Sequence, residues 1–76
     1  MKAIGIGQNQ YGRTFCMFVY ACCLYHANTQ WKKDMGIRFP EMDAKYVRPV
    51  RLHEHRLSLP EVYYDCRPCI ERGCKV

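Results

Sequence analysis

The longest apolar run in the chain, FCMFVYACCLY from Phe15 to Tyr25, separates two stretches of different pattern. Ahead of it, KAIGIG alternates Ile4 and Ile6 with glycine, which is the period of a short strand. GQNQYGR then carries the glycines and amide side chains of a turn or loop. From Thr14 the spacing changes. Met17, Tyr20, Ala21, Leu24, Asn28, Trp31 and Met35 recur every three or four residues, as on one side of a helix. Thr14 offers a hydroxyl to the first-turn amides, Gly36 a stop, and Lys32 and Lys33 suit the negative end of the helix dipole. The competing reading is a strand, because TFCMFVY is rich in strand formers. An unbroken apolar run with no turn signal is long for a strand in so small a protein, so the helix is preferred.

After Gly36 the helical period is lost. Pro40, Pro49 and Pro60 each remove a backbone donor and bias the preceding residue to extended backbone. YVRPVRLHEHRL reads as one or two extended pieces. In such a piece Arg51, His53 and His55 share one side, and Val50, Leu52 and Glu54 the other. So long a span with little regular structure suits a chain that lies along a larger surface. The expected architecture is a small irregular α+β domain with one main helix, from about residue 14 to 35. Its sections are a strand and loop over 1–13, an apolar helix over 14–36, a Pro-punctuated extended segment over 37–62 and a Cys-rich tail over 63–76.

At 76 residues there is one domain with a small core, and such chains usually add a disulfide, a metal or a partner. Six cysteines fit the first two. The net charge of +5 is uneven: residues 1–33 hold Lys2, Arg13, Lys32 and Lys33 and no acid. That balance favours an anionic partner, such as RNA, DNA or an acidic protein face. The apolar run is shorter than the roughly 20 residues a bilayer demands, so no transmembrane segment is expected. The polar residues between Gln8 and Thr14 also argue against a cleaved signal. An intracellular setting is expected, with an organelle as the alternative because the first third lacks acids.

The tail YDCRPCIERGCKV places Cys66, Cys69 and Cys74 within nine residues. A thioredoxin-like redox role needs most of a domain after CRPC, and only seven residues follow Cys69. The C-x2-C-x4-C spacing suits zinc, which takes four soft or nitrogen ligands. It resembles the first three ligand positions of a retroviral-type zinc knuckle, with Cys74 where a histidine would stand. The missing ligand is expected from His53 or His55, or from Cys22, Cys23 or His26. Zinc is the preferred cofactor. A disulfide from the Cys16–Cys23 region to the tail is the alternative, in an oxidising compartment. In a third reading, Cys16, Cys22 and Cys23 are simply reduced core residues.

HEH at residues 53–55 lacks a nearby nucleophile and a third orienting group, so catalysis is not expected. Lys45, Tyr46, Arg48, Arg51 and Arg56 form a basic and aromatic cluster, and Trp31 with Lys32 and Lys33 a second. Arginines pair with phosphates while aromatic rings stack on bases. The expected function is a non-catalytic accessory subunit of a larger assembly, a ribonucleoprotein by preference, with no small-molecule substrate. The alternatives are a free-standing regulatory or inhibitory protein, such as a viral effector, and a disulfide-stapled protein.

Overall fold

The structure, a computed structural model, describes residues 1–65 and 67. Among these residues the chain forms β1 (Lys2–Gln8), β2 (Thr14–Tyr20), α1 (Leu24–Arg38), β3 (Asp43–Pro49) and β4 (Glu61–Tyr63), with a 3-10 turn at Leu52–Arg56. The four strands make one mixed sheet in the order β3-β1-β2-β4. The α+β expectation holds, but with more strand than a single short N-terminal one, and with the helix displaced towards the C-terminus.

Thr14–Tyr20, expected to begin the helix, is β2. It pairs antiparallel with β1 from Lys2↔Tyr20 to Gln8↔Thr14. The turn between them is set by Asn9, whose Oδ1 accepts from the amides of Tyr11 at 2.9 Å and Arg13 at 3.0 Å. Gly12 completes it at φ 78°, a conformation that costs glycine little. Both faces of β2 are covered: Phe18 and Val19 point to opposite sides and are 2% and 0% exposed. A strand buried on both faces reads as a continuous apolar run and hides the period of two.

The helix starts instead after Cys23, whose Sγ accepts from the His26 amide at 3.4 Å. It runs through Gly36 to Arg38, and Phe39 caps it by donating its amide to the Met35 carbonyl. Ala27, Trp31 and Met35, four residues apart, form its buried stripe. They pack on Ala3 of β1, Val19 of β2 and Val47 of β3, with Phe15, Met17, Ala44 and Val62 at the margins. Trp31 is fully buried and donates its indole N–H towards the Met17 sulfur at 2.9 Å. A Cβ at Gly5 would lie 2.7 Å from that indole ring. The glycine in KAIGIG is therefore the seat of the tryptophan.

Because β2 and β3 are both antiparallel to β1, they run parallel to each other, and α1 supplies the crossover this requires. β3 is an edge strand. Asn28 covers its open side, accepting from the Val47 amide at 2.9 Å and donating to the Val47 carbonyl at 3.1 Å. β4 runs parallel to β2 at the other edge. Residues 50–60 must therefore cross the sheet, roughly 14 Å at about 4.8 Å per strand. They cross on the face opposite α1, pinned by Glu54. Its carboxylate accepts two bonds of 2.7 Å from the Arg48 guanidinium and one of 2.8 Å from the Arg51 amide. Ile4 and Phe18, which point to this face, are 1% and 2% exposed. The expected extended segment is thus β3, the 3-10 turn and β4 in succession.

Candidate functional site

The face opposite α1 can be mapped from strand register. One row across it is Lys2, Tyr20 and Tyr63, the next Arg48, Ile4, Phe18 and Glu61, and the third Tyr46, Ile6 and Cys16. In the middle row Ile4 and Phe18 are buried and Arg48 is half-buried, while Glu61 is exposed. At one end of the face the Tyr20 and Tyr63 rings stack, with centroids 4.5 Å apart and planes 10° from parallel. The Lys2 ammonium lies 4.1 Å from the Phe18 ring centre and 5.9 Å from that of Tyr20. Tyr63 is exposed, and its hydroxyl donates to Glu61 at 2.5 Å. That bond, with lesser help from burial, pushes the phenol up to about 12, so it stays a neutral donor. At the β3 side of the face Tyr46 is about half exposed, and Arg51 and Arg56 are exposed on the crossing segment.

The residues expected to contact a partner divide accordingly. Tyr46, Arg51 and Arg56 stand on or beside this face with exposed side chains. Arg48 lies on the face but is committed to Glu54, which raises its already high pKa further. Lys45 is the extra residue of a bulge opposite Ile6 and Gly7, and pairs with Asp43 at 2.5 Å. Lys32 and Lys33 are exposed on α1, on the other side of the sheet. Trp31 is corrected from contact residue to core: a fully buried indole offers no surface to stack on. The sequence signal that missed Lys2, Tyr20 and Tyr63 was register, since these residues are distant in the chain.

The metal ligands expected in the tail, Cys66, Cys69 and Cys74, lie outside the described residues. His53 and His55 are exposed on the 3-10 turn. Arg51, His53 and His55 do not form one side of a strand there, because the turn is helical. A different group meets where β2 leads into α1. The Cys22 Sγ is 3.3 Å from His26 Nδ1 and 3.9 Å from the Cys23 Sγ. The last separation is far beyond the ~2.05 Å of a disulfide, so Cys22 and Cys23 are not bonded to each other. Among the described residues, no three His, Cys, Asp or Glu side chains converge on one metal position. Nearby in sequence, Arg67 bonds the Asp65 carboxylate and holds it down at about 2.

An apolar recess of about 240 Å³ opens between Phe15, Met17, Met35, Phe39, Met42 and Pro60. Its lining holds no charged group. It adjoins residues 14–17 of β2, which lie beyond the reach of β4, paired only with Phe18–Tyr20. No helix among the described residues is long and apolar enough to cross a membrane. Comparison with known proteins found no matching family model, no similar curated protein and no similar solved structure.

Proposed function

We propose that the chain is a non-catalytic binding protein that serves as an accessory subunit of a ribonucleoprotein, with the sheet face opposite α1 as its RNA contact. The observation that carries this reading is the aromatic row at the end of that face, where the exposed Tyr63 stacks on the partly buried Tyr20 beside the Lys2 ammonium. Aromatic rings with adjacent cations form the platform on which unpaired bases stack, and the stacking tolerates any base. Tyr46, Arg51 and Arg56 extend the platform towards β3 with one more ring and two guanidinium groups for phosphates. The net charge of +5 supports the same class of partner.

The test is fluorescence anisotropy of a labelled single-stranded RNA against the full chain over a salt series. Affinity should fall steeply with salt, as counterions released from the phosphates are replaced. Tyr63→Ala should weaken binding by about 1–3 kcal/mol, the usual value of one stacked base. Absence of RNA binding, with salt-insensitive capture of a protein instead, would move the reading to a regulatory or inhibitory protein. The apolar recess beside residues 14–17 of β2 would then be the surface to mutate.

A further inference from the structure

We propose that Cys22 and His26 form half of a binding site for a soft divalent cation of the zinc class. This goes beyond the RNA reading and does not depend on it. The geometry is that of a metal pair. A zinc ion about 2.3 Å from a thiolate and about 2.0 Å from an imidazole nitrogen, at a tetrahedral angle, sets the two donors about 3.5 Å apart. Cys22 Sγ and His26 Nδ1 are 3.3 Å apart.

The pair is held before any ion arrives. Cys23 ends the strand-to-helix link with extended backbone, and its sulfur caps α1 through the His26 amide. That cap fixes the first turn, so Cys22 before it and His26 within it have a set relation. His26 is 7% exposed, so its imidazole has exchanged water for this partner. Zinc needs four ligands, and Cys22 with His26 supplies two. Among the described residues no third ligand converges on the pair, and the half-site stands on Cys22 and His26 alone. His53 and His55 are not part of this pair. They sit on the 3-10 turn bound to Arg48, with the sheet between them and α1.

The experiment uses the full chain, reduced and stripped of metal. It is alkylated with N-ethylmaleimide with and without one equivalent of zinc, and each cysteine is followed by peptide mass mapping. Zinc should slow alkylation of Cys22 by roughly tenfold or more, because a coordinated thiolate loses its nucleophilicity. Cys16, which faces the other side of the sheet, should react at an unchanged rate. In parallel, cobalt should give a thiolate charge-transfer band that is lost in Cys22→Ser and in His26→Gln. The same band should persist in the His53→Ala, His55→Ala double variant. Equal alkylation of Cys22 with and without zinc would overturn the proposal and leave the pair as a thiol–imidazole hydrogen bond. A cobalt band that survives Cys22→Ser would overturn it as well. If His26→Gln does not fold, the alkylation of the unaltered chain decides.

Discussion

Two glycines show how differently one residue type acts at two positions. Gly5 sits under Trp31, and any Cβ there meets a buried ring at 2.7 Å. Gly5→Ala should destabilise the protein by about 1–3 kcal/mol through overpacking, read as a lower urea midpoint. Gly36 lies in the last turns of α1, exposed and with nothing near its missing Cβ. Gly36→Ala should stabilise by about 0.4–1 kcal/mol, because alanine loses less backbone freedom on folding. The stop role expected of Gly36 is not used; the helix passes through it. Trp31 makes a third case at this scale. Its aromatic ring beside Lys32 and Lys33 suggested a contact patch, but the helix turns the ring to the sheet and the lysines to solvent. Trp31→Ala should cost about 3–5 kcal/mol of stability.

At the scale of the element, the sheet is closed at β3 by a side chain and strapped across one face by an ion pair. Asn28 uses both of its amide protons, on Leu24 and Val47 carbonyls, and its oxygen, on the Val47 amide. It acts as a one-residue neighbour strand. Asn28→Ala should cost about 1–3 kcal/mol by leaving backbone groups of the edge unpaired, and Val47 amide exchange should accelerate. Such an edge, once bare, also invites pairing with other chains. The strap depends on Glu54. The Arg48 guanidinium, and then the Arg51 amide, draw its carboxyl from 4.5 to about 2. A carboxylate held below its ordinary value stabilises the fold above that value and ceases to do so as the pH falls through the folded one. The urea midpoint should therefore drop between pH 4.5 and about 2. The drop should be smaller in Glu54→Gln, and an equal drop in both would remove this role.

For the whole molecule, the two faces of the sheet have different duties. One is filled by α1 and carries the core. The other is only strapped, so that Tyr20, Tyr63, Lys2 and Tyr46 remain at or near the surface. If binding and stability are divided in this way, Tyr63→Ala should weaken RNA binding and leave the thermal midpoint nearly unchanged. Trp31→Ala should lower both together. A matched loss of stability in the two variants would show that the aromatic row is structural. Tyr64, just past β4, ties that edge to the helix: its hydroxyl donates to Asp34 of α1 at 2.9 Å. Burial first, and then that bond, push its pKa upward and keep it a donor.

How much was legible in the chain follows from which interactions are local. The α+β class, the first strand, the turn at GQNQYGR, the apolar spacing of Trp31 and Met35 and the breaks at the prolines depend on nearest neighbours, and the sequence by itself determined them. The boundary at Thr14 was not local. TFCMFVY satisfies a helical spacing and a strand composition alike, and only pairing with β1, with cover on both faces, selects the strand. Moving the helix to Leu24 then gave Cys23 the cap expected of Thr14 and brought Cys22 against His26. The candidate sites share this origin. Arg48 and Glu54 face each other because a 3-10 turn crosses the sheet, and Tyr20 meets Tyr63 because β4 pairs parallel to β2. Sequence spacing sets which residues share a side of one element; which elements become neighbours is set by backbone hydrogen bonds and core packing, and these only the tertiary structure decided.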